Sequence, residues 1–195
     1  LEKTAAGTPV PGGGSLSAMA AAVGAALAQM VAGLTAGRKA FAAVTPEMNE
    51  LAEKARRLRT DLLADMDRDA AAYTAVMEAF RLPRETAKEK SHRTEAIQQA
   101  TREAARVPLA VAEKALDVMM LAGTAVAKGN PNAMSDGAVG AMLARSALQG
   151  ALFNVKINLR DIRDEAFAVR LTAEAEALDA RARALETTIL SHINL

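Results

Sequence analysis

The stretch that decides the fold is PGGGSLSAMAAAVGAALAQMVAGLTA, residues 11–36. It opens with a proline and three glycines and continues as an uncharged run of alanine, glycine and aliphatic residues. Small residues recur at four-residue spacing (Ala20, Gly24, Ala28). This spacing is typical of a helix that packs closely against other helices. We therefore predict a helix over residues 15–36 in the interior of a helical bundle.

Helical periodicity continues along almost the whole chain, and no sustained strand-like alternation interrupts it. We predict one all-α domain over residues 1–195, built as an up-and-down bundle of about six long helices. Their predicted bounds are 15–36, 46–80, 84–106, 109–128, 136–159 and 163–190. Pro108 marks either a break or a kink between the third and the fourth.

The composition argues against several classes of protein. Lys and Arg number 24 against 23 Asp and Glu, so the basic excess of a nucleic-acid-binding or membrane-surface protein is missing. The two histidines have no metal-ligand spacing, which predicts no metal site. The chain contains no cysteine, as is usual in the cytoplasm, where we expect this protein. A membrane-associated helix over residues 16–36 is an alternative, but that stretch is only weakly hydrophobic.

Two glycine- and asparagine-rich turns each lead into a small-residue helix, at residues 11–15 and 129–136. A helix start leaves backbone N–H groups unpaired and carries the positive end of the helix dipole. Such ends suit a polar or anionic ligand. Ser135 is predicted to be an N-cap, and Asp136 in the first turn has either a dipole-stabilising or a ligand-binding role.

Polar side chains also recur at four-residue spacing on two of the predicted helices. Asp61, Asp65, Asp69 and Tyr73 share one face, and we expect the first two carboxylates to be solvated. Asp69 differs, because the alanines beside it leave room for a ligand that Tyr73 would border. A second pair, Asn154 and Asn158, lies on an apolar helix. These amides form either an interhelical hydrogen-bond network or contacts with a ligand.

Taken together, these segments resemble the formimidoyltetrahydrofolate cyclodeaminase / methenyltetrahydrofolate cyclohydrolase family. The order and spacing of the matching motifs cover nearly the whole chain. The resemblance also implies an N-terminal helix, most of which is missing from the short segment before Pro11. The motifs are Pro-Gly-Gly-Gly-Ser at 11–15, Thr-x-Gly-Arg-Lys at 35–39, Asp-x-x-x-Tyr at 69–73, Leu-Pro-Arg at 82–84, Val-Pro-Leu at 107–109, Gly-Asn-x-Asn-x-x-Ser-Asp at 129–136 and Asn-Val-x-Ile-Asn at 154–158.

The resemblance implies an all-helical enzyme, commonly a homodimer, that acts on a tetrahydrofolate derivative as its substrate and needs no tightly bound cofactor. Opening of 5,10-methenyltetrahydrofolate by water is preferred, because the chain stands without a transferase domain. Release of ammonia from 5-formiminotetrahydrofolate is the alternative. A non-catalytic helical scaffold is a third interpretation, under which the aspartates and asparagines would be structural pairs.

Both reactions pass through a tetrahedral carbon between two nitrogens, so both need a proton shuttle. The resemblance makes Asp69, Asp136 and Lys39 the catalytic candidates, and it leaves open which aspartate shuttles protons and which binds the pterin. The residues expected to hold the folate are Gly12, Gly13, Gly14, Ser15, Arg38, Tyr73, Asn130, Asn132, Ser135, Asn154 and Asn158. We expect both turns and the helix that carries Tyr73 to border one crevice.

Overall fold

The computed structural model describes residues 1–193, and over that range the chain forms helices and no β-strand. The prediction of an all-α bundle is confirmed. Two short 3₁₀ turns, Lys39–Val44 and Pro131–Ala133, precede the third and fifth helices. The helices are α1 Glu2–Ala5, α2 Gly13–Thr35, α3 Thr45–Arg81, α4 Ala87–Lys128, α5 Met134–Leu159 and α6 Glu165–Ser191.

The helix α4 joins two segments that the sequence pattern separates at Pro108. It runs unbroken for 42 residues with Pro108 buried inside it. A proline in a helix interior costs about 3 kcal/mol, because it removes a hydrogen bond and crowds the preceding turn. Ala105, Leu109 and Ala112 on either side of it lie in the same hydrophobic core, so burial on both sides holds the helix together. The described chain therefore has five long helices and the short α1.

The helix α2 lies against α3, α4 and α5, as its small residues predict. It runs antiparallel to α5, and the two backbones come so close that a Cβ atom on Gly24 would lie 2.7 Å from the carbonyl oxygen of Gly140. By length and composition α2 is apolar enough to cross a membrane, but half of its most apolar stretch is buried within the bundle. A core helix of a bundle has the same properties.

Ion pairs connect α6 to α5. Arg145 of α5 donates to Asp179 over 3.0 Å and to Glu186 over 3.2 Å. A hydrogen bond from Arg183, together with the charge of Arg145, lowers the pKa of the Asp179 carboxyl. The carboxylate is therefore the stable form at neutral pH, which suits a contact between two helices.

The expectation that Asp65 is solvated is wrong, whereas Asp61 is exposed as predicted. Asp65 is only 2% exposed, and it forms ion pairs with Lys114 of α4 and, over 2.6 Å, with Arg68. The four-residue spacing of acidic side chains on α3 does not reveal this burial, because the partner lies 49 residues away in the sequence.

Candidate active site

A cleft of about 330 Å³ opens where α2 begins. The first turn of α2 lies between α3 and α5, and Ala104 of α4 also borders the cleft. The cleft is lined by residues from four separate segments of the chain. It is lined by Pro9, Val10, Gly12, Gly13, Gly14, Asp69, Ala72, Tyr73, Val76, Ala104, Asn154, Ile157, Asn158 and Asp161.

The start of α2 brings backbone N–H groups to this cleft. Gly12 is the N-cap in an extended conformation, and no side chain caps the helix. The first N–H groups of a helix have no partner within the helix, and they carry the positive end of its dipole. Gly13 lies against α5, where an added Cβ atom would be 3.3 Å from the amide nitrogen of Asn154. The glycine turn thus presents donors to a polar group bound in the cleft.

Asp69 is held in the cleft by the same turn. The buried Ser15 hydroxyl lies 2.8 Å from Asp69 Oδ2 and donates to it. The carboxylate lies directly against Gly14, because a Cβ atom there would be 2.1 Å from Asp69 Oδ1. Any side chain at position 14 would therefore displace the carboxylate.

We predict that Gly14→Ala displaces Asp69 and lowers the free energy of unfolding by about 1–3 kcal/mol, the usual effect of overpacking. Gly33→Ala is the matched control on the same helix, since nothing lies within 4 Å of a Cβ atom there. In the control, alanine should stabilise α2 by roughly 0.5–1 kcal/mol. Urea denaturation measures both variants. Equal stability of the two would contradict the packing of Asp69 on Gly14.

The two asparagines present acceptors to the cleft. Asn154 Nδ2 donates to the Gly150 carbonyl over 2.9 Å, and Asn158 Nδ2 donates to the Ala104 carbonyl over 2.7 Å. A carbonyl only accepts hydrogen bonds, so the NH₂ group of each amide must face it. Within residues 1–193 neither amide oxygen accepts a hydrogen bond. Asn158 thus joins two helices, as the structural interpretation expects, and both oxygens remain able to accept a bond from a ligand.

The second turn lies at the other end of α2. The Asn130 backbone N–H donates to Thr35 Oγ1 over 2.9 Å, and its Nδ2 donates to the Leu34 carbonyl over 3.3 Å. Its Oδ1 accepts from the N–H of Asn132, and the residue is only 5% exposed. The side chain of Asn130 therefore holds the turn against the last residues of α2.

The expectation that both turns border one crevice is wrong within a single chain. The helix α2 has 23 residues. At 1.5 Å per residue its two ends are about 33 Å apart. Ser135 is also not an N-cap, because α5 begins at Met134 and Ala133 is the capping residue. Besides Asn130, five predicted site residues lie at this far end, four exposed and Asp136 half-buried: Arg38, Lys39, Asn132, Ser135 and Asp136.

Several residues of the cleft are not predicted from the sequence. Among them, Asp161 borders it just beyond the end of α5, and Ile157 and Ala104 also line it. Asp161 follows Asn158 by three residues, which is the signal that would have identified it. A larger groove of about 1030 Å³ lies between α3, α4 and α6, but it contains none of the predicted site residues. Among residues 1–193 no group of three or more histidine or acidic side chains is placed to hold a metal ion.

A helical bundle whose cleft combines one helix start, carboxylates and two amides has the donors and acceptors that suit a small polar ligand. The sequence model of the family described as formiminotransferase-cyclodeaminase matches residues 1–177. The chain belongs to this family, and the family predicted from its motifs is confirmed.

Known proteins resemble the chain along almost its whole length. It is 39% identical over 189 residues to the methenyltetrahydrofolate cyclohydrolase of Methylorubrum extorquens, a match that covers 97% of this chain and 91% of that protein. It is 34% identical over 183 residues to the formimidoyltransferase-cyclodeaminase of Sus scrofa, covering 94% of this chain but only 34% of that longer protein.

A solved structure also shares the fold. The crystal structure of formiminotetrahydrofolate cyclodeaminase from Thermotoga maritima is similar with a TM-score of 0.89 and 29% identity. The match covers 98% of this chain and 91% of that one. At this level of similarity the helices of the two proteins follow the same course.

Proposed function

We propose that this protein is a methenyltetrahydrofolate cyclohydrolase, which opens 5,10-methenyltetrahydrofolate with water to give 10-formyltetrahydrofolate. The observation that carries the proposal is the convergence of the glycine turn, Asp69 and the two asparagines in one cleft. The similarity to a methenyltetrahydrofolate cyclohydrolase over 91% of that protein supports the choice of reaction.

The donors and acceptors of the cleft suit a pterin. A pterin ring carries N–H and amino donors along one edge and a carbonyl oxygen beside them. The amide oxygens of Asn154 and Asn158 accept from the donors, and the N–H groups at the start of α2 donate to the carbonyl. Tyr73 borders the cleft and gives the ring an aromatic wall. The volume of about 330 Å³ lies within the usual range for ligand sites and holds the pterin end of the substrate.

Asp69 is placed to move protons in the proposed reaction. The oxygen of a water molecule bonds to the carbon that bridges N5 and N10, and one proton of that water passes to the carboxylate. The resulting tetrahedral carbon then loses its bond to N5, which takes the proton back from the carboxylate. The hydroxyl on that carbon releases its proton to solvent as it becomes the carbonyl of the formyl group on N10. One water is consumed and one proton is released, because the methenyl substrate is a cation and the product is not.

The test is a direct assay of the purified protein. Methenyltetrahydrofolate is mixed with the enzyme, and the loss of its near-ultraviolet absorbance is compared with the rate in buffer. The cyclodeaminase alternative, which the similarity to the Thermotoga maritima enzyme favours, is assayed with formiminotetrahydrofolate by ammonia release. If the protein accelerates neither reaction, the proposal that it is a folate enzyme is refuted. If the protein is a non-catalytic scaffold, calorimetry should also detect no folate binding.

We also propose that the reaction needs no bound cofactor and takes place in the cytoplasm. No oxidation state changes when water opens the bridge, so a side chain that moves protons suffices. Dialysis against a chelator should leave the activity intact, and a loss restored by a metal would contradict this part. The roles of Arg38, Lys39, Asn132, Ser135 and Asp136 in catalysis or binding stay predictions, and they require a second copy of the chain.

We propose that the second copy packs on an apolar face formed by α2 and α5. This exposed apolar face consists of Met19, Val23, Met30, Leu34, Val139, Met142, Phe153 and Ile157. Large exposed apolar patches mark interfaces. The helix α2 has no charged residue, so two copies of it can meet without burying an unpaired charge.

We predict that Val23→Glu converts this homodimer into a monomer. A carboxylate at the centre of the face would lose its hydration in the dimer, which should raise the dimer dissociation constant by at least about 100-fold. Val169→Glu is the matched control, because Val169 is exposed on α6 outside this face. Analytical ultracentrifugation over a concentration series measures both. A Val23→Glu protein that remains dimeric, or a wild type that is monomeric, would contradict the proposed interface.

A further inference from the structure

Pro108 leaves one carbonyl of α4 without its helical partner. In a regular helix the N–H of residue 108 would donate to the carbonyl of residue 104, four positions earlier. Proline has no N–H, so this bond is missing although the helix continues on both sides. The carbonyl of Ala104 is thereby open to a donor from another helix.

The donor is a residue of the candidate active site. Asn158 Nδ2 of α5 lies 2.7 Å from the Ala104 carbonyl oxygen, and both residues border the cleft. Because that carbonyl can only accept, the bond fixes which end of the amide faces α4. The amide oxygen of Asn158 is then the end available to a ligand.

We propose that Pro108 is a positioning residue. Because proline has no backbone N–H, the Ala104 carbonyl accepts its hydrogen bond from Asn158 instead, and this bond orients the amide oxygen of Asn158 toward the substrate. The identity of the substrate rests on the function proposed above. The positioning itself rests only on the proline, the open carbonyl and the 2.7 Å bond.

Pro108→Ala tests the proposal because the variant should bind the substrate more weakly without becoming less stable. The variant regains a backbone N–H at position 108 that competes for the Ala104 carbonyl, so KM for methenyltetrahydrofolate should rise about fivefold, the value of one hydrogen bond. We expect kcat to change less than twofold. The melting temperature should stay the same or rise, since alanine is the better helix residue. A KM that rises together with a lowered melting temperature would indicate a merely structural proline and overturn the proposal.

A double-mutant cycle with Asn158→Ala separates positioning from other effects. If Pro108 acts through Asn158, Pro108→Ala should add nothing to KM in the Asn158→Ala background. Additive effects would overturn the proposal. Pro46→Ala is the control, because Pro46 lies in the first turn of α3, away from the cleft, and should leave KM unchanged.

A second readout does not depend on turnover. The side-chain NH₂ signals of Asn158, assigned by their loss in Asn158→Ala, should shift in the nitrogen-15 NMR spectrum of Pro108→Ala and exchange faster with solvent. If the wild type lacks activity but these signals shift, the proposed function fails and the positioning stands. Signals that do not move would overturn the positioning itself, whatever the activity.

Discussion

The Asp69→Asn variant is expected to lose about 100- to 10,000-fold in kcat for methenyltetrahydrofolate, the usual contribution of a general acid or base. Asparagine has the shape of aspartate and still accepts a hydrogen bond from Ser15, which is 0% exposed behind it. The cleft should therefore keep its form, and the variant should unfold at the same urea concentration as the wild type. The absorbance assay under saturating substrate measures the loss.

The matched control is Asp61→Asn, two helical turns earlier on the same helix and exposed to solvent. It should retain full activity. Comparing KM with kcat for Asp69→Asn also distinguishes the two roles that the sequence leaves open for Asp69, pterin binding and proton transfer. A carboxylate that only binds the pterin would raise KM and spare kcat, whereas one that moves protons lowers kcat. Full activity of Asp69→Asn would show that the site is elsewhere.

The part of the candidate site around Asp69 could be predicted because each of its residues is conspicuous within its own helix. Gly14, Asp69 and the asparagines each stand out against their own helix, either as residues with poor helix propensity or as a charge among alanines. Their convergence follows once α2, α3 and α5 are placed side by side in a bundle. The motifs that resemble the family point to the same residues, and the match of the family model to residues 1–177 confirms that assignment to the family.

The position of the second turn could not be predicted, because its contacts join residues that are far apart in the sequence. Two glycine turns with the same local chemistry look equivalent in sequence, but they begin antiparallel helices and so lie at opposite ends of the bundle. The partner of Asn130 is Thr35, 95 residues away, and no pattern within one helix identifies it. The sequence favours a break or kink at Pro108 for a related reason. The burial of its neighbours and the donor that replaces its missing bond both belong to the tertiary structure.

The Asp65–Lys114 ion pair is a second feature that tertiary structure reveals, and its disruption should have the largest effect on stability. Asp65 is 2% exposed, and Lys114 from α4 is partly buried over it. Removing one partner of a buried pair leaves the other charge unpaired, which usually costs about 3–5 kcal/mol. We therefore expect Asp65→Ala to lower the free energy of unfolding by that amount, measured by urea denaturation at neutral pH.

Two further variants show whether the effect comes from the unpaired charge. Replacing Asp65 and Lys114 together, as Asp65→Leu with Lys114→Met, should recover most of the lost stability, because apolar residues of similar volume often substitute for a buried pair without loss. Arg68, the other partner of Asp65, is mostly exposed and stays hydrated in this variant. Glu50→Ala, which removes the exposed partner of Lys54 on the same helix, should leave the unfolding midpoint unchanged. If Asp65→Ala unfolded at the wild-type urea concentration, the carboxylate would not be buried. A double variant no more stable than Asp65→Ala would mean that packing of the aspartate, not its charge pairing with α4, holds α3 in place beside the cleft.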